Sequence, residues 1–409
     1  MARIGFAEIH PLDGLEPLAA MIGDARIVAI GENNHHIKEF GEFRGRVLRF
    51  LVERLGFRVL GFESGFAEGA LVDDWIRGGP GEVERVGRDG FTFTLGESPE
   101  MHEMLGWMRA HNEAGGDLRF AGLDLPSSAG SPAPALRAVR AYLSDVDPAA
   151  VSLVDRASAA TEPYAAVSSA GSPAKYAALP EAGRHAATAA LALLVAQLDA
   201  LAPVYRPRAG AVAHAVARHH ALGALRVDGY QREITELMDG TAPAVQGASR
   251  DTYMASTVRL LRELHGDARI VLMLHNGHLQ RTPMSMTPGS SAPMAGAHLA
   301  EEFGADYFAL GVTAGAGYTT GLTPDEQARL GFRVHEEELA APAEGGVEHA
   351  MAGHGPSLLD LRAAKEDTGG PVGIRHAGLT SEVDVARAFD ALAYFPESHV
   401  SALVADGAR

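Results

Sequence analysis

Six short apolar runs, each followed within two residues by a polar or charged residue and separated from the next by stretches of helical periodicity, constrain the fold more than anything else in the chain. They are Arg26 to Ile30, Arg58 to Phe62, Leu118 to Leu123, Arg269 to Leu274, Tyr307 to Val312 and Ala391 to Phe395. Runs of this kind are the pattern of parallel strands joined by crossover helices. Between the first two, Phe43, Val47, Phe50, Leu51 and Leu55 recur at helical spacing, and Gly56 stands where a helix takes its closing glycine. That stretch reads as a β-α-β unit.

From about Ser127 to Asp251 the character changes. Alanine-dominated segments such as Glu181 to Leu201 and Ala211 to Leu225 replace the strand-like runs, with Pro132, Pro148, Pro173, Pro180 and Pro203 as punctuation. The expected architecture is therefore α/β: a mainly parallel β-sheet core flanked by helices, built from 1–126 and 252–409, with 127–251 as a helical insertion lobe over the active-site cleft. Within that lobe, Arg218, His219 and His220 read as surface residues of an alanine-rich helix.

Composition removes several classes of function. Among 409 residues, 35 Lys+Arg face 52 Asp+Glu, a formal charge of −17, which serves a nucleic-acid surface poorly. The absence of cysteine excludes disulfides and thiolate nucleophiles, so a metal would need His, Asp or Glu. Glu8 and His10 interrupt any early apolar signal core, and no apolar stretch reaches the roughly 20 residues that span a bilayer; a cytoplasmic protein with no membrane partner is expected. No phosphate-binding Gly-rich loop and no Gly-x-Ser-x-Gly elbow occurs, so neither a nucleotide cofactor nor a serine nucleophile is supported.

In open parallel sheets ligands bind beyond the carboxyl ends of the strands. Here those ends carry acids and imidazoles from distant parts of the chain: Gly31-Glu32-Asn33-Asn34-His35-His36, then Glu63-Ser64-Gly65, then Asp124, then His275-Asn276-Gly277-His278. Hydrolysis of an ester needs a base that takes a proton from water near neutral pH, the range of histidine. Glu32 and Glu63 are placed to set its tautomer, and His275 or His278 to donate to the developing oxyanion or the leaving alkoxide. Arg44 is expected to hold a substrate oxygen or fix a carboxylate, with Asn34, His36, Asp124 and Arg250 as further substrate contacts. The same histidines and glutamates offer metal donors, but the helical His-Glu-x-x-His signature is absent and His275 ends a strand, so no metal and no other cofactor is expected.

At these residues the sequence resembles the erythromycin esterase family, which also includes proteins linked with succinoglycan biosynthesis. The resemblance covers most of the chain. It runs through Gly31-Glu32-Asn33-Asn34-His35 with Glu39-Phe40, Gly56-Phe57 to Phe62-Glu63, Trp107 with Arg109 and Asn112, and Gly122-Leu123-Asp124. It continues through Arg250-Asp251 with Met254-Ala255, His275-Asn276-Gly277-His278, Leu359-Asp360-Leu361-Arg362 and Phe389-Asp390-Ala391. It implies a metal-independent hydrolase that opens a macrolide lactone ring. His35 would be the base for water, supported by Glu32 and Glu63, with His275 and His278 on the opposite wall and Arg44 nearby. Asn34 and His36 stand where the family pattern has a threonine-like residue and a glycine. Two alternatives stay open: a biosynthetic enzyme using the same base for acyl transfer, lactone formation or another proton transfer, and a haem or metal binding protein with His35, His36, His275 and His278 as ligands.

Overall fold

All six apolar runs form strands, and all six are parallel. The computed structural model describes residues 2–4, 7–287, 290–325, 327–364 and 370–407. The strands are β1 (Ile27–Ile30), β2 (Phe57–Gly65), β3 (Arg119–Asp124), β4 (Arg269–Met273), β5 (Tyr307–Pro324) and β6 (Ala391–Ser398). Their order across the sheet is β6-β5-β1-β4-β2-β3, with each neighbouring pair parallel. Antiparallel additions complete ten strands: Ser357–Asp360 beside β6, Ala7–Pro11 and Ala2–Ile4 beyond it, and Phe332–Glu338 along the far half of β5. None of these additions was visible as an apolar run. They are short or charged and lie at one end of the sheet or protrude from it, so none presents a long apolar run.

The central strands are buried on both faces, which is why they read as unbroken apolar runs. Val28, Ile30, Leu60, Phe62, Val271 and Met273 point to one side, where they meet Phe40, Val47 and Leu51 of the helix Lys38–Leu55. Ile27, Ala29, Val59, Ile270 and Leu272 point to the other, against Met254, Ala255, Val258 and Leu261 of the helix Ser249–His265. The first helix ends as the sequence indicates: Gly56 lies at φ 70° and its N–H returns to the Leu51 carbonyl.

Backbones approach closely at two glycines in and beside β3. The helix Phe66–Ile76 turns directly out of β2 and lies against β3. A Cβ on Gly69 would sit 2.5 Å from the Gly122 nitrogen, and one on Gly122 would sit 2.2 Å from the Gly65 carbonyl oxygen. Both neighbours are backbone and have no rotamer to change. Gly122→Ala is therefore expected to cost about 3 kcal/mol, the upper range for overpacking, seen as a lowered urea midpoint at unchanged slope; a wild-type midpoint would refute the close approach.

Residues between Pro126 and Met238 are built from helices, including Ala133–Val146, Val151–Thr161, Glu181–Ala200 and Ala211–Met238. They have a core of their own around Leu136, Val139, Leu143, Val154, Leu191 and Leu194, distinct from the clusters on the two sheet faces. No single helix among the described residues is long and apolar enough to cross a membrane. The boundary expected at 251/252 falls inside the helix Ser249–His265, which packs on the sheet. His219 and His220 are not surface residues: both are buried, with Phe66 ring centroids at 4.8 and 4.9 Å and the His219 ring stacked on Tyr253 at 4.4 Å. Their helix packs against both the lobe helices and Ser249–His265, so an alanine-rich sequence that looks one-sided is covered on two sides.

The connection leaving β1 passes over β4 to reach β2, while the one leaving β4 passes over β1 to reach β5. These two crossovers thus diverge beside the adjacent ends of β1 and β4. A crevice opens at such a point.

Candidate active site

The turns after β1 and β4 are locked together before any charged group is placed. A Cβ on Gly31 would meet the Asn276 Oδ1 at 2.0 Å, so only glycine lets the two turns approach. Asn276 donates from Nδ2 to the Val312 carbonyl at 2.7 Å, accepts the Val312 N–H at 3.1 Å, and gives its own N–H to the Glu32 carbonyl at 2.8 Å. The ends of β1, β4 and β5 become one rigid floor.

On this floor Glu32 is buried and joined by two cations. Its Oε1 lies 2.6 Å from Arg44 Nη1 and 2.9 Å from His35 Nδ1. Burial pushes the carboxyl upward, but Arg44 and then His35 outweigh it and hold it at about 2. An ionised carboxylate only accepts, so Nδ1 of His35 carries the hydrogen and Nε2 is left facing the cavity, 4.0 Å from Glu63 Oε1. Burial lowers the pKa of His35. The hydrogen bond and charge of Glu32, with the charge of Glu63, more than compensate and raise it above the ordinary value.

Glu63, at the end of β2, gathers the opposite wall. Its Oε2 accepts the His275 backbone N–H at 2.5 Å, and its Oε1 takes Arg250 Nη2 at 3.0 Å and faces His278 Nε2 at 3.3 Å. Arg250 also donates to Asp124 at 2.7 to 3.0 Å, and His278 Nδ1 donates to Asp251 at 2.7 Å. Burial opposes charge on His278, yet Asp251 and Glu63 raise it to about 10. Against the desolvation that would raise it, His278, His35 and Arg250 hold Glu63 well below the usual carboxylate range. The wall is an ionised network whose carboxylates favour the charged form of His278.

Several expected roles change. His275 does not offer a donor to substrate: its Nε2–H goes to the Asn33 carbonyl at 2.7 Å and its Nδ1 accepts the Gly277 N–H at 3.1 Å, capping the turn Asn276–Leu279. Burial, with His376 and His35 nearby, keeps it neutral at about 3. Arg44 and Asp124 do not line the cavity; they stand behind it, Arg44 on Glu32 and Asp124 on Arg250. Asn34 borders the cavity, but its amide is committed to Thr319 Oγ1 at 2.8 Å and the Thr320 carbonyl at 2.7 Å, which anchors the protruding hairpin of β5 and Phe332–Glu338. His36 and Arg250 line the cavity. His36 sits at φ 60°, a conformation that favours glycine, which accounts for the glycine in the family pattern. Its Nε2 donates to Thr94 Oγ1 at 3.2 Å, and burial with the neighbouring His35 lowers it to about 4.

The cavity has a volume of about 330 Å³. Sequence reasoning missed much of its wall: Phe93, Leu322, Phe332 and Val334 form an apolar side, and His376 reaches in from the strand Gly373–His376 with its ring 4.4 Å from His275. The only sequence signal for His376 is the turn at Ala377-Gly378, which marks a hairpin but not where it docks. Docking is done by the Ala377 N–H, which bonds the Asn33 carbonyl at 2.7 Å. Among the described residues, no three His, Asp or Glu side chains are grouped to hold a metal ion.

The protein is of the α/β class: an open, mainly parallel sheet whose switch-point strands end in a carboxylate–imidazole pair facing a cationic wall. Comparison with known proteins makes the class specific. The erythromycin esterase family pattern matches residues 52–398. Erythromycin esterase type II of Escherichia coli is 31% identical over 410 aligned residues, covering 98% of this chain and 97% of that protein. Type I of the same organism is 28% identical, covering 95% of each. Among solved structures, a histidine-to-asparagine mutant of the erythromycin esterase EreC in its open conformation superposes with a TM-score of 0.83 at 26% identity over 95% of each chain. A succinoglycan biosynthesis protein shares the fold, with a TM-score of 0.74 at 18% identity over 96% of this chain and 95% of that one. The chain belongs to the erythromycin esterase family and is an ester hydrolase.

Proposed function

We propose that the chain hydrolyses the lactone ring of a macrolide or a similarly bulky lactone, with His35 as the general base. The observation that carries this is the tethering of His35 Nδ1 to Glu32 while Nε2 faces the cavity. Nε2 takes a proton from water as the water oxygen bonds to the acyl carbon, and the carbonyl oxygen gains charge beside the cations His278 and Arg250. The bond from the acyl carbon to the ring oxygen then breaks, and the leaving alkoxide takes the proton back from His35. One water and one lactone give one hydroxy acid. The apolar wall of Phe93, Leu322, Phe332 and Val334 suits a macrocycle, and the relatives' names supply the substrate class.

Mass spectrometry of macrolides and simpler lactones in water enriched in heavy oxygen tests the reading. The expected product gains one labelled water with wild type and none with His35→Ala. A product joined to an added alcohol or amine in place of water would favour the acyl-transfer alternative.

A further inference from the structure

Arg44 has donors that the site described above does not use. Nη1 is engaged by Glu32, but Nε and Nη2 are buried and have no hydrogen-bond partner among the described residues; the residue is 5% exposed. The guanidinium lies 5.2 Å from the Phe62 ring centroid, which favours its charge without satisfying either N–H. A buried donor left unmet costs roughly 1–3 kcal/mol, and proteins usually fill such positions with water where there is room.

There is room here. Arg44 lines a small pocket of about 40 Å³, whereas one water needs roughly 10–15 Å³. Phe62, Leu95, Met101 and Met273 form its apolar side, and Glu32, His36 and Ser98 its polar side. A bound anion fits poorly, because the ionised Glu32 already occupies the same guanidinium.

The pocket lies between two larger spaces. His36 borders both it and the substrate cavity. At its other end Gly41, Glu100 and Met104 border both it and an open groove of about 630 Å³ over the helices Lys38–Leu55 and Pro99–Glu113. At that junction Gly41 packs closely on the helix Pro99–Glu113, where a Cβ would lie 2.9 Å from Glu100 Cβ, so a larger side chain there must intrude on the space between pocket and groove.

We propose that the pocket behind Arg44 is an internal water site, and that it passes the hydrolytic water from the helix groove by way of His36, which borders both spaces, to the cavity that His35 Nε2 faces, while a bulky lactone fills the front of that cavity. The supply role rests on the esterase reading above. Each turnover consumes one water, and a ligand large enough to fill the cavity excludes solvent from that side. A small acetate ester does not.

Two measurements test this. A high-resolution crystal structure of the wild-type protein should show water within hydrogen-bonding distance of Arg44 Nε or Nη2; an empty pocket, or an anomalous peak there after a bromide soak, overturns the water site. Gly41→Leu, which plugs the junction, should lower kcat for a macrolide at least about tenfold, the size of a gating effect on turnover, while kcat for 4-nitrophenyl acetate stays at the wild-type value. Met104→Trp, at the same junction, gives a second plug should the glycine variant fail to fold. An equal response of both substrates, whether no change or a shared loss, overturns the supply route. If the wild-type chain opens no lactone, the esterase reading has failed and takes the route with it, whereas the water at Arg44 is still decided by the crystal structure.

Discussion

Replacing His35 with alanine is expected to lower kcat for lactone opening by about 10²- to 10⁴-fold, the usual contribution of a positioned general base, with little change in thermal stability. The second half follows from packing. His35 is only partly buried, with 27% of its side chain exposed, and its single strong partner is Glu32, which keeps Arg44 when the imidazole is gone. No buried charge is stranded. The pH profile gives an independent readout. As the proposed base His35 must be neutral to act, and its pKa is raised, so kcat/KM should rise with pH through an apparent value above the ordinary 6.5. In Glu32→Gln the acceptor loses its charge and that limb should move to lower pH. A limb that stays in place would show that another group is being titrated, and wild-type rates in His35→Ala would refute the base assignment.

The parts of this molecule that were legible in the sequence are those where one physical demand acts on consecutive residues. A strand buried on both faces must be apolar throughout, so β1 to β6 announced themselves and their ends pointed to Glu32, Glu63, Asp124 and His275. The roles at those ends were less legible. Whether a histidine faces substrate or caps a turn depends on which backbone groups surround it, and His275 was lost to catalysis by two such groups, the Asn33 carbonyl and the Gly277 N–H. Of the two roles open to Arg44, a substrate contact or a clamp on a carboxylate, the structure shows the clamp, on Glu32; Asp124, at a strand end, supports Arg250 and does not line the cavity, and neither choice is written in the local sequence. The second arm of the protruding hairpin, Phe332–Glu338, and His376 were missed. The contribution of the hairpin and of His376 comes from docking onto Asn33 and Asn34, a contact between segments about 285 to 345 residues apart in sequence that no local pattern encodes.

Glu63→Gln should behave differently from His35→Ala, and the contrast separates the base from the framework that opposes it. Glu63 is the shared counter-charge of Arg250 and His278, and it also accepts the His275 backbone N–H. Removing one partner from a buried ionic network costs about 3–5 kcal/mol, because the remaining charges stay buried and lose their compensation. Both stability and kcat should therefore fall, where the His35 variant loses kcat alone. The sign of the pH dependence follows from the depressed pKa of Glu63. Its stabilisation is fully present above the unfolded value near 4.5 and is lost as pH falls through the lower folded value. The gap in unfolding free energy between wild type and Glu63→Gln should then be largest near neutrality and shrink in acid, as read from denaturant titrations at pH 7 and below pH 4. A gap that widened in acid, or a variant as stable as wild type at pH 7, would mean that Arg250 and His278 draw their compensation from Asp124 and Asp251 alone, leaving Glu63 free to act on the substrate directly.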